Sequence, residues 1–161
     1  MALLNVATVL VMLTAQHAAQ AVDDTAAVER AAATYTAEHL LLPLKQADTL
    51  KLGRVAFDAR PAKGQVRSTE NASVLARLLG AEVTARDAVI ECASTCHMPR
   101  HAALIRIELQ SLTDSTAEVR VTREYPSRFS RVPVSFDQIP LIFRKRNGVW
   151  DFAEMGRVRW S

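Results

Sequence analysis

The chain predicts an α+β fold in a single domain: N-terminal helices packed on a curved antiparallel β-sheet, a meander. Three observations carry this. Apolar residues recur at helical spacing in the first third, apolar–polar alternation takes over from about residue 86, and Asn147-Gly148 supplies a two-residue hairpin turn near the end. Helices early and hairpin-linked strands late define the α+β class. No internal repeat, low-complexity tract or Pro/Gly-rich linker divides the 161 residues. Residues 22–161 are therefore read as one domain, long enough to bury a core without several disulfides or a metal.

Residues 1–22 contain no Asp, Glu, Lys or Arg. The apolar run at 6–13 gives way to small and polar residues ending in Ala19-Gln20-Ala21, and Asp23-Asp24 follow. This pattern reads as a cleaved secretory signal peptide over residues 1–21, with Ala19 and Ala21 as the small residues before the cut. The run is about ten residues, against the roughly 20 that a membrane span needs. No Lys or Arg precedes it, so an uncleaved anchor and an ordinary N-terminal helix stand as the other readings. Export, to periplasm or medium, sets how the cysteines are read.

Asp23-Asp24-Thr25 suits a helix start, because acids favour the positive end of the helix dipole. Val28, Ala32, Tyr35, His39 and Leu42 then share one helical face, and Pro43 is expected to stop the run. Residues 54–59 alternate, with Val55, Phe57 and Ala59 on one face, which predicts a half-buried strand ended by Pro61 and Gly64. Ser68 or Thr69 caps a second helix carrying Val74, Leu75, Leu78 and Leu79, and Gly80 ends it. Asn71-Ala72-Ser73 matches a glycosylation acceptor but falls in the first turn of that helix, so it is read as a chance match.

Ile105, Ile107 and Leu109 alternate with charged and polar residues, as do Ala117, Val119 and Val121. The apolar faces of these two strands must coincide, which restricts the register. Pairing Glu108 with Arg120 joins opposite charges and leaves Thr113-Asp114-Ser115 as a tight loop; one alternative sets Glu108 against Glu118. The first register is predicted, with Glu108 opposite Thr116 as second choice. Residues 132–144 form a further extended stretch, in which Pro133 and Pro140 demand an edge position or a break. The turn at Asn147-Gly148 needs positive φ twice and joins 141–145 to 149–152.

The net charge is +3, and the basic residues gather late: Arg120, Arg123, Arg128, Arg131, Arg144, Lys145, Arg146, Arg157 and Arg159. Such a half suits either a solvated sheet face or contact with an anionic envelope surface. No nucleic-acid recognition motif is present, and no nucleic acid is expected as a partner.

Cys92-Ala93-Ser94-Thr95-Cys96-His97-Met98-Pro99-Arg100-His101 is the one segment with inorganic chemistry within reach. In an oxidising compartment Cys92 and Cys96 form a disulfide. So short a loop contributes only about 2 kcal/mol, enough to pin a loop and not to hold a fold. A metal site using Cys92, Cys96, His97 and His101 is the second reading, with zinc or copper as the ion. Covalent haem is the third, but attachment needs Cys-x-x-Cys-His and this segment has one residue too many. No cofactor motif occurs, and none is expected to be bound.

Tyr35, His39 and Asp58 are candidate pocket residues, set against a helix face with a satisfied histidine. The segment Tyr125-Pro126-Ser127-Arg128-Phe129-Ser130-Arg131 mixes aromatics and arginines, as a binding edge does and as ordinary loops do. No nucleophile elbow, phosphate loop or metalloprotease helix is present.

Phe143-Arg144-Lys145-Arg146-Asn147-Gly148-Val149-Trp150-Asp151-Phe152 is similar to the closing hairpin of the nuclear-transport-factor-2-like superfamily, cone-shaped α+β proteins. The resemblance covers about the last 60 residues in detail and the rest in outline. It implies a cone with a pocket and no particular reaction, because that superfamily holds isomerases, dehydratases, cyclases and proteins without known activity. Two helices precede the meander here, where the family usually has three, and no acid–base pair of the family matches a position in this chain. The expectation is an exported, non-catalytic structural or interaction domain whose partner is a protein or a small molecule. The alternatives are a small-molecule binding protein or enzyme with a cone-like pocket, and a metal carrier.

Overall fold

The computed structural model describes residues 23–46, 52–127 and 134–160. The proposed signal peptide and its cut lie outside these residues, as does the part of the 125–131 loop from Arg128 onward. Helix α1 (residues 23–46) is followed by β1 (Arg54–Asp58), α2 (Thr69–Leu79), β2 (Glu82–Val83) and a 3-10 turn at Arg86–Ala88. Then come the short β3 (Glu91–Cys92) and β4 (Cys96–His97), the long β5 (Ala102–Leu112), β6 (Thr116–Pro126) and β7 (Val134–Arg146), and finally β8 (Val149–Met155) and β9 (Arg159–Trp160).

The main sheet runs β2-β1-β5-β6-β7-β8, with β9 also paired to β7. The meander from β5 to β9 is antiparallel, but β1 lies parallel to both β2 and β5. The sheet is thus mixed, and its parallel part has a simple origin. Helix α2 crosses over between β1 and β2 and brings the chain back to the same end, as a βαβ connection must. Ser68 Oγ accepts from the Asn71 N–H to cap α2, and Gly80 at φ 61° closes it, with Ala81 N–H donating to Ala76 O.

Register follows the charge argument. Glu108 faces Arg120, Ile107 faces Val121 and Leu109 faces Val119. Beyond Leu109 a β-bulge at Gln110 shifts the pairing, so that Ser111 meets Glu118. Asn147 and Gly148 take φ of 52° and 81°, and Arg146 pairs with Val149 across the turn. Pro140 does break its ladder. β8 pairs with β7 up to Leu141↔Met155, β9 resumes at Gln138↔Arg159, and the chain between them loops out.

Two expectations are corrected. Pro43 does not stop α1. A π-helical turn at Thr36–Leu41 precedes a final α-helical segment, Leu42–Gln46, whose second residue is Pro43. The pairing changes just upstream of a residue with no N–H to give. The wider turn also rotates the buried face. Thr36, Leu40 and Leu41 point inward, while His39 and Leu42 turn outward. Strand β1, expected to be half-buried, is buried from Val55 to Asp58, because the 86–101 segment covers its second face.

The larger core lies between the helices and one sheet face. Val28, Leu41 and Leu75 meet Phe57, Ile105, Ile107, Val119, Val121, Leu141 and Phe143, all fully or almost fully buried. On the opposite face Val89, Ile90 and Met98 pack on Ala56, Ala102 and Leu104.

Candidate functional site

Strand β5 outruns its neighbour. The last pair with β1 is Asp58↔Arg106, yet β5 continues to Leu112. Side chains, not a strand, meet the uncovered edge. Arg67 Nη2 donates to Ile107 O at 2.6 Å and Gln65 Nε2 donates to Leu109 O at 2.9 Å. Arg67 Nη1 donates to Ala59 O at 2.8 Å, and its fork closes on Glu29 of α1 at 2.6 Å. Asn71 Nδ2 donates to the other oxygen, Glu29 Oε2, also at 2.6 Å. The guanidinium lies 5.5 Å from the centre of the Phe57 ring.

The Arg67 and Glu29 side chains are only 1% and 3% exposed, so this ion pair is part of the interior. Both Glu29 oxygens accept hydrogen bonds from protein groups. The cluster ties α1, α2 and β5 together. It also forms one wall of a recess of about 430 Å³, whose other walls are Thr25 and Ala26 of α1, Val66, and Leu109 to Leu112. Val66 stands at the rim, 94% exposed.

Tyr35, His39 and Asp58 do not converge. The Tyr35 ring stacks on Phe152 of β8, with centroids 4.0 Å apart, and touches the His39 ring at 4.6 Å. His39 is exposed, and its nearest acid is Glu38 at 3.8 Å. Asp58 ends β1, with β5, β6 and β7 separating that strand from β8. Its carboxylate is buried and takes both Nε and Nη2 of Arg60, which hold the guanidinium more firmly charged than usual. Arg86 is raised likewise by its fork onto Glu124. None of the three residues lines the recess.

A second polar cluster, not evident from composition or motifs, lies beneath the π-turn of α1. Arg123 Nη1 donates to Leu40 O at 2.7 Å, and Nη2 donates to Asp137 Oδ2. The Tyr125 hydroxyl donates to the same carboxylate at 3.2 Å. Asp137 is 8% exposed. The available signal was parity: Arg123 shares the inward face of β6 with Val119 and Val121, where a charge needs a partner. Arg67, Glu29 and Asn71 carry no such signal, because their meeting depends on how α1, α2 and β5 pack.

Cys92 and Cys96 face each other across the β3–β4 hairpin, with S–S 2.08 Å and Cα–Cα 4.0 Å. Bonded to each other, the sulfurs offer no thiolate to a metal or a haem. His97 Nε2 lies 2.9 Å from Thr95 Oγ1, and the His101 carbonyl accepts from the N–H groups of Gly53 and Arg54. Among the described residues no three His, Cys, Asp or Glu are grouped so as to hold a metal ion.

The carboxylates of Glu29, Asp58, Glu124 and Asp137 are each tied to an arginine. No protein-family model, no curated protein and no solved structure matches the chain, so the site stands on its own geometry.

Proposed function

We propose that the protein is an exported, non-catalytic interaction domain whose binding edge is the end of β5 beside the recess. Its ligand is an extended, apolar segment of a partner chain. One observation carries this reading. From Gln110 to Leu112 β5 runs past the carbonyls that Arg67 and Gln65 occupy and has no neighbouring strand on that side, next to the recess. An added strand gains backbone hydrogen bonds from such an edge and specificity from a side-chain pocket. Export is supported by the signal-like residues 1–21 and by the Cys92–Cys96 disulfide.

A second reading places a small apolar molecule in the same recess. Its volume of about 430 Å³ favours it, since ligand pockets start at about 300 Å³. The likeness of the closing hairpin to the nuclear-transport-factor-2-like superfamily suits either reading.

The test is a titration of the isotope-labelled protein with an alternating Val/Thr hexapeptide, followed by NMR. Saturable shifts and slowed amide exchange at Gln110 to Leu112 are expected, lost in Val66→Asp. A peptide response spread over the whole surface, or none at millimolar peptide, overturns the strand-addition reading. Saturable shifts at Leu109 to Leu112 with indole but not with the peptide select the small-molecule reading.

A further inference from the structure

A groove of about 320 Å³ crosses the outer face of the sheet, away from α1 and α2. Pro140 makes it. Lacking an N–H, Pro140 cannot continue the ladder, and residues 156–158 leave the plane between β8 and β9. Gly156 holds the detour close, donating its N–H to Pro140 O at 2.8 Å. A Cβ at position 156 would lie 3.0 Å from Pro140 Cβ, a tight contact that would push the returning chain away by a few tenths of an ångström. The floor is Pro140 and Gln138. Arg120 of β6 rises on one side, and Arg157 and Arg159 on the other.

Six arginines in the structure are tied to a carboxylate: Arg54, Arg60, Arg67, Arg86, Arg106 and Arg123. Arg120, Arg157 and Arg159 have no such partner among the described residues. One acid, Glu118, lines the groove. Three guanidiniums meet one lining carboxylate, Glu118, and one flanking carboxylate, Glu108, which faces Arg120 across the strand pair; the excess of positive charge in a concave setting favours an anion. A guanidinium offers a planar fork of donors matched to tetrahedral oxyanions, and the Gln138 amide adds another donor. Arg120 is half-buried against the sheet, which reduces the freedom it loses on binding.

We infer that this groove is a binding site for a phosphate-type oxyanion, either free or carried on a lipid headgroup. The inference is independent of the β5 edge, which lies on another part of the molecule. It gives the basic C-terminal half a defined centre in place of a diffuse surface charge.

The test uses the whole exported chain and inorganic pyrophosphate, followed by calorimetry and by NMR of the Gln138 and Gly156–Arg159 amides. Saturable binding is expected, weakened at least tenfold in Arg120→Gln and in Arg159→Gln, and within twofold of wild type in Arg144→Gln, whose side chain is exposed outside the groove. Circular dichroism and melting of each variant confirm that the fold persists. Vesicles containing phosphatidylglycerol form the second arm. Vesicle binding lost in Arg120→Gln with weak pyrophosphate binding assigns the source to a headgroup, and the converse assigns it to a free phosphate. Equal losses in Arg144→Gln and Arg120→Gln, or no binding of either probe below millimolar concentration, overturn the inference.

Discussion

Asp24, in the first turn of α1, accepts a 2.6 Å hydrogen bond from Lys145 Nζ on β7, 121 residues away. The indole N–H of Trp150 points at the same oxygen at 3.4 Å, and Lys145 Nζ lies 5.6 Å from the Trp150 ring centre. The pair ties the start of the described chain to its closing hairpin.

That contact makes stability depend on acid. Lys145 chiefly, with Trp150, holds the Asp24 carboxyl below its usual range. A carboxyl lowered in the folded state stabilises it above the unfolded pKa, near 4, and this is lost as pH falls through the folded value. Both side chains are partly exposed, about 20% each, so Lys145→Met should cost only about 0.5–1 kcal/mol at pH 7. Urea midpoints of wild type and variant should converge below pH 3. A gap that persists there would show that the loss has another source.

The Glu29–Arg67 pair should behave differently. Removing one member leaves the other charged and buried, at a cost of about 3–5 kcal/mol. Glu29→Gln and Arg67→Met should each lower the denaturation midpoint sharply. The double variant should lose less than the sum of the two, because no unpaired charge remains. Strict additivity would mean that the two residues act apart.

The π-turn makes a prediction about neighbours in sequence. Leu41 is fully buried and Leu42 is 46% exposed. Leu41→Ala should destabilise by about 2–5 kcal/mol, whereas Leu42→Ala should change stability by less than about 1 kcal/mol. A continuous α-helix carrying the Val28–Ala32–Tyr35–His39 stripe would bury Leu42 and reverse this order.

Gly148 sits at φ 81° with open space where a Cβ would go, so backbone strain alone penalises a side chain there. Gly148→Ala should cost about 1–2 kcal/mol. Asn147→Gly, at φ 52°, should be nearly neutral. Thermal melts of the two variants check this pair. Equal losses would point to a lost side-chain contact at Asn147.

Local chemistry was legible in the sequence where it acts over a few residues. The Ser68 cap, the Gly80 stop, the Asn147-Gly148 turn, the Cys92–Cys96 pairing and the Glu108–Arg120 register all depend on neighbours or on one strand pair. The π-turn was not legible, because one extra residue in a helix leaves no mark in composition and yet moves His39 from the inner face to solvent. The parallel placement of β1 was hidden too, since alternation reports which face is buried and not the direction of the partner. The recess needed three separate elements, and Asn71, read as a chance glycosylation match, turned out to anchor Glu29.

The position of β1 has a consequence for the order of assembly. Its main partner, β5, begins at Ala102, so α1 and β1 emerge from any N-to-C delivery with no sheet to join. The strands from β5 onward close as successive hairpins with nearby partners, whereas β1 waits for a contact across more than forty residues. The N-terminal third therefore joins the main sheet only when residues 102–106 are available, although β1 can already pair with β2 at residues 82–83.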